Sequence, residues 1–170
     1  ITTDFISFDF DLIDYLADNN IVKNVFDSKQ AYLSLRKIGI TLQNIGLDVL
    51  LASYLVNQDF KKNEDIFASF DIDIAPISKN ASLEQYAKYS QSIAYASCLI
   101  KDKLLEKIKE IDNEDLLFKI EQPLALILAE IEKNGVLIDS ELLKQLDKEY
   151  SLKLNEVEQE IYKLANHSFN

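Results

Sequence analysis

Three glycines and two prolines in 170 residues leave this chain nearly without the residues that break helices. A chain so short of breakers is expected to fold mostly into long helices, and the few breakers it has should mark where those helices end. Gly39 fits the position just past a helix, and Asn134-Gly135 closes another. Pro123 interrupts an apolar segment that otherwise runs on with helical spacing to Lys133.

Between these marks the apolar spacing supplies the rest. Ile1 to Ile6 is short, apolar and β-tolerant, and reads as a strand; Asp9 to Ala17 comes next with helical spacing. Ile21 to Phe26 reads as a second short strand, and Ser28 as the N-cap of a helix over Lys29 to Lys37. Leu42 to Gly46 is a strand or an extended connection, Asp48 to Val56 is helical, and Gln58 to Glu64 is polar and reads as a loop. Ile66 to Lys79 is ambiguous, with Pro76 limiting any regular element. Ser82 caps a long helix whose apolar residues (Tyr86, Tyr89, Ile93, Ala96, Ile100, Leu104) carry it to about Ile111.

The last segment has its own character. Asp139 or Ser140 caps a helix with Leu143, Leu146, Tyr150, Leu154, Val157, Ile161 and Leu164 in steps of three and four, a narrow stripe suited to pairing with another helix. Such a stripe could self-associate or serve a helical interaction module.

Composition excludes several classes. Lys and Arg total 18 against 29 Asp and Glu, for a net charge of −11 with no basic cluster, so this segment alone is expected to bind DNA poorly. No apolar run approaches the ~20 residues that cross a bilayer, and no signal-peptide pattern opens the chain. A cytoplasmic setting is expected. One Cys (Cys98) and one His (His167) cannot build a zinc site of Cys and His ligands, and Cys98, among apolar neighbours, reads as a buried structural thiol.

One run carries more identity than any other. Glu121-Gln122-Pro123-Leu124 opens it, Leu128-Ala129-Glu130-Ile131-Glu132 is its middle, and Gly135-Val136 with Ile138-Asp139 closes it. It resembles the segment of the bacterial DNA polymerase I (family A) polymerases where the 3'-5' exonuclease domain hands over to the thumb. A second stretch, Gly39-Ile40-Thr41-Leu42 and then Asp48 through Leu51-Ala52-Ser53-Tyr54-Leu55, resembles the heart of that family's exonuclease domain. The resemblance implies an α/β, ribonuclease H-like fold that is here partial and helix-rich. It divides the chain into an exonuclease-like domain over 1–117 and a connector with the first thumb helix over 118–170. The strand bearing the family's Asp-x-Glu pair is expected upstream of residue 1, and a return helix covering the stripe after residue 170.

Family exonucleases hold two divalent metals with four carboxylates, because hard cations take oxygen ligands and two close metals need several negative charges. Carried onto this sequence, the family's Asn-Leu-Lys-Tyr-Asp pattern puts Ala31 at a ligand position, with Asp27 one helical turn away. The Tyr-x-x-x-Asp pattern matches Tyr86 and puts Ser90 where the acid should be. Catalytic ligands are thus lost at Ala31 and Ser90, and no metal is expected in this fragment. Asp48 matches a structural Asp at a helix start. Phe169-Asn170 matches the opening of the family's thumb-tip run, which makes Asn170 a weak candidate for phosphate contact; Lys163 and His167 are expected on a solvated face. The resemblance implies a parent that extends a primer on a DNA template with deoxynucleoside triphosphates and magnesium, in bacterial replication and repair at the nucleoid. Here the segment would be a vestigial proofreading scaffold. The alternatives are an active exonuclease with shifted ligands, centred on Asp27, or the helical interaction module.

Overall fold

A computed structural model describes residues 10–168; the expected strand at Ile1 to Ile6 and the Phe169-Asn170 pair lie outside the described residues. In chain order the elements are α1 (Phe10–Ala17), β1 (Lys23–Val25), α2 (Ser28–Lys37), β2 (Ile45–Asp48), α3 (Val49–Val56), α4 (Asn63–Ala68), α5 (Leu83–Glu110), α6 (Glu114–Leu116), a π-helical turn (Leu117–Glu121), α7 (Gln122–Asn134) and α8 (Ser140–Ala165). Two compact units result, 1–134 and 135–170.

The first unit is a helix-rich α/β fold. β1 and β2 pair in parallel, with Lys23 opposite Ile45 and Val25 opposite Asp48, and α2 makes the crossover that a parallel pair requires. The close approach of the strands explains Gly46. A Cβ there would lie 2.3 Å from Val22 Cγ1 and 2.9 Å from Asn24 Oδ1, so any side chain would force both neighbours to shift. Lys23 is buried, and its ammonium reaches back to donate to the carbonyl of Asp18.

The core gathers around one face of α5. Ile93, Ala96, Ile100, Leu104 and Ile108 recur every three or four residues and pack with Leu47, Val49, Ala52, Ile66, Phe67 and Leu117. Phe26, from the end of β1, stands 5.7 Å from Phe67 ring to ring. Ser82 and Gln85 cap α5 reciprocally, the backbone N–H of each bonded to the other's side chain. The same helical phase corrects the expectation for Cys98. Two residues from both Ala96 and Ile100, it falls off the core face and is exposed.

Local starts and stops agree closely with the sequence, with informative exceptions. Asp27, not Ser28, caps α2, its Oδ1 accepting the N–H of Gln30 at 2.9 Å. Gly39 has φ +81°, the left-handed conformation expected just past that helix. The segment expected as a loop and an ambiguous stretch holds α4, started by the Asp65 carboxylate accepting the N–H groups of Lys61 and Lys62. Pro123 does not break the chain's course. The turn before it widens, and the N–H of Gln122 bonds to the carbonyl of Leu117, five residues back. The wider π turn is one of the adjustments by which a helix accommodates its proline.

α7 lies on α2. Ala125 and Ala129 are buried and let the helices come close. Outside them, Lys29 Nζ meets Glu132 at 2.6 Å, while Glu130 accepts from the Tyr32 hydroxyl and from Lys133 at 3.2 Å. These bonds, the Tyr32 hydroxyl first, hold the Glu130 carboxyl below the usual carboxylate range.

In the second unit, Asp139 caps α8 by accepting the N–H groups of Glu141 and Leu142. None of the 26 residues of α8 is buried. Leu143, Tyr150, Leu154, Val157, Ile161 and Leu164 are all exposed along it.

Candidate functional site

A cleft of about 550 Å³ opens where the end of β1, the first turn of α2 and the middle of α5 meet. Its apolar wall is Val25, Phe26, Ile93 and Ala94, and its polar lining is Asn24, Asp27, Asn63, Tyr89, Ser90 and Lys101. Each element delivers its residue for a local reason. β1 ends at Val25, so Phe26 turns inward to the core while Asp27 stays at the helix start. α2 begins at Ser28, which places Ala31 one turn in, on the side of Asp27. α5 brings Tyr89, Ser90, Ile93, Ala94, Ser97, Cys98 and Lys101 along one side of the helix.

The structure therefore brings Asp27, Ala31 and Ser90, singled out from the sequence, into one cleft although Ala31 and Ser90 are 59 positions apart in the chain. Tyr86 is not among the residues lining it and is 43% exposed. Tyr89, three residues on, lines it instead, with its hydroxyl donating to Glu64 at 3.0 Å. Burial pushes the Tyr89 phenol above its ordinary range, and the bond to Glu64 adds to that. Asn63, Tyr89 and Lys101 carry no sequence motif; only the packing of α4 and α5 reveals them. Asn170 lies outside the described residues.

The donor chemistry can be tested against a pair of magnesium ions. Two such ions need several oxygen ligands, mainly carboxylates. Among the described residues the cleft presents one carboxylate, Asp27, and its Oδ1 already accepts an N–H as the α2 cap. Ala31 brings a methyl group and Ser90 a neutral hydroxyl, while Lys101 contributes a cation that disfavours metals nearby. Among the described residues no group of three or more His, Cys, Asp or Glu is placed to hold a metal. The lining does not fit the two-metal set.

Beneath the cleft lies a polar cluster that has nothing to do with metal. Asp48 is 1% exposed; one carboxylate oxygen accepts the N–H of Ser28 at 2.7 Å and the other that of Leu51 at 2.9 Å. It caps α3 and holds the first residue of α2 at once. Its own N–H donates to Gln122 Oε1 at 2.8 Å, and Gln122 Nε2 donates to the carbonyl of Gly46 at 3.3 Å. Burial pushes the Asp48 carboxyl above the usual carboxylate range, against the pull of the Leu51 and Ser28 bonds. The structural position expected for Asp48 at a helix start is where the structure puts it.

Comparison with known proteins agrees with this geometry. Residues 1–82 match the family model described as DNA polymerase I, ribonuclease H-like domain. The DNA polymerase I of Bacillus subtilis is 32% identical over 160 residues, covering 87% of this chain and 18% of that protein. That of Geobacillus stearothermophilus is 30% identical over 177 residues, 92% of this chain and 19% of its own length. Among solved structures, the POL domain of Pol1 from M. smegmatis, in complex with DNA primer-template and dNTP, superposes with a TM-score of 0.72 at 26% identity. The match covers 94% of this chain and 27% of that one. The chain thus spans less than a fifth of the length of the curated relatives it matches. Over most of its residues the chain is similar to bacterial DNA polymerase I, and residues 1–82 match the model of that family's ribonuclease H-like domain.

Proposed function

We propose that this chain is the scaffold portion of a DNA-directed DNA polymerase of replication and repair, a proofreading-type domain that no longer hydrolyses DNA. The observation that carries the proposal is the cleft itself, in which, among the described residues, Asp27 is the one carboxylate and Ala31 and Ser90 stand beside it. One carboxylate, a methyl group and a neutral hydroxyl do not make up the ligand set that holds two metals at the spacing in-line hydrolysis demands. The functional division falls near 117/118. The exonuclease-like domain precedes it, and the connector with the first thumb helix comes after. In that setting template-primer DNA, deoxynucleoside triphosphates and magnesium belong to the polymerase centre of the parent, working in the bacterial cytoplasm at the nucleoid. Asn170 would touch phosphate only there. The net charge of −11 suits a domain with no single strand to grip.

A second reading has one observation in its favour. The Asp27 carboxylate does line the cleft, so a shifted ligand set built on it describes an active 3'-5' exonuclease. Incubation with end-labelled single-stranded DNA and magnesium or manganese separates the two. The scaffold reading predicts intact DNA; metal-dependent release of nucleotides, lost in Asp27→Ala, establishes the active exonuclease instead. A third reading, a helical interaction module, would be favoured by self-association or partner capture through the Leu143 to Leu164 stripe of α8 with no polymerase context, read by sedimentation.

A further inference from the structure

Gln122 is the first residue of α7, yet its side chain is 8% exposed and its polar atoms bond to groups 74 and 76 positions earlier in the chain. A buried amide is costly unless both its donor and its acceptor are satisfied, and here both are. The acceptor goes to the N–H of Asp48 and the donor to the carbonyl of Gly46, backbone groups of β2 that have no other partner from α7. Asp48 in turn commits both carboxylate oxygens to backbone N–H groups, those of Ser28 and Leu51. One unbroken hydrogen-bonded path therefore runs from the start of α7, through the β2–α3 corner, to the first residue of α2. Asp27 and Ala31, on either side of Ser28, line the cleft.

We infer that Gln122 is a positioning residue, a key that locks α7 onto the β2–α3 corner and ties its placement to the cleft end of α2. Two features make the lock directional. The π turn just before Gln122 sets the angle at which its side chain enters, and Ala125 and Ala129 keep the rest of α7 close enough for the outer contacts of Lys29 with Glu132 and Tyr32 with Glu130. Those outer contacts are half-exposed and individually weak. The buried key is what fixes register, since sliding α7 by one residue would break its bonds to the buried Asp48 N–H and the part-buried Gly46 carbonyl of β2. The geometry stands without any assumption about catalysis; only its purpose, a firm seat for α7, rests on the scaffold reading. The nuclease assay tests that reading separately.

The test is site-resolved amide exchange with methyl spectra on the whole chain. Gln122→Leu keeps the volume and removes both bonds. The expected result is roughly tenfold faster exchange at the Asp48 amide and along α7. The Ala31 methyl resonance should shift, while the α5 amides around Ile100 and Leu104 should not change. An unchanged Asp48 amide, or equal acceleration throughout α5, overturns the lock. Should the variant fail to fold, the unaltered chain still decides. With the lock in place, the Asp48 amide exchanges in the same opening event as the α7 amides, at the same rate and denaturant dependence. Independent rates for the two contradict it.

Discussion

Asp48 shows how much one residue can carry when it is buried with every valence in use. Its carboxylate holds two helix starts, so Asp48→Ala removes a cap and strands the buried N–H of Ser28. The expected cost is roughly 2–4 kcal/mol, measured by urea unfolding. Its titration gives a second prediction with a definite sign. Because burial raises the folded pKa, the folded chain holds this proton more tightly than the unfolded chain does. The contribution of Asp48 to stability is therefore greatest below the unfolded pKa and declines as pH rises through the folded one. In Asp48→Asn that decline disappears. The stability of the unaltered chain minus that of the variant should fall with rising pH across the acid range, and a flat difference would show that the Leu51 and Ser28 bonds fully offset the burial.

At the scale of elements, the parallel pairing of β1 and β2 depends on the bare backbone of Gly46. Gly46→Ala pushes a methyl group into the side chains of Val22 and Asn24, which must shift and strain the pairing beside them. A loss of about 1–3 kcal/mol is expected, with the amide of Lys23 exchanging faster because its bond to the Asn44 carbonyl lengthens. α8 gives the contrasting case. With none of its residues buried, its helix has little but local bonds to hold it, so its amides should exchange roughly a hundredfold or more faster than the core amides of α5. Uniformly slow exchange along α8 would count against this.

These elements also show what a sequence makes legible. α5 is legible in full because its stripe repeats over 28 residues and Ser82 supplies an unambiguous start. Gly39 and Asp48 are legible because one backbone conformation or one cap explains each. α4 is not, since six residues offer too few turns for periodicity and its start depends on the side chain of Asp65. Pro123 looks like an interruption in the sequence, yet the π turn ahead of it lets the helical course continue. Gln122 is invisible there for a different reason: its partners lie more than seventy residues away, and no local pattern encodes that. Cys98 has apolar neighbours that suggest burial, but the helical phase set by Ile93 and Ile100 turns it outward.

At the scale of the whole molecule, the cleft is where β1, α2 and α5 converge. Ala31 and Ser90 arrive together because β1, α2 and α5 hold a ribonuclease H-like arrangement whether or not the acids remain. A fold positions side chains; it does not supply their chemistry. The central claim is that the cleft keeps the shape of a metal site and has lost the ligands. Calorimetric titration with manganese of the unaltered chain beside the Ala31→Asp, Ser90→Asp double variant tests it most directly. No saturable binding at the cleft in the unaltered chain, and binding gained in the double variant, is the predicted result. Saturable binding by the unaltered chain that Asp27→Ala abolishes would contradict it.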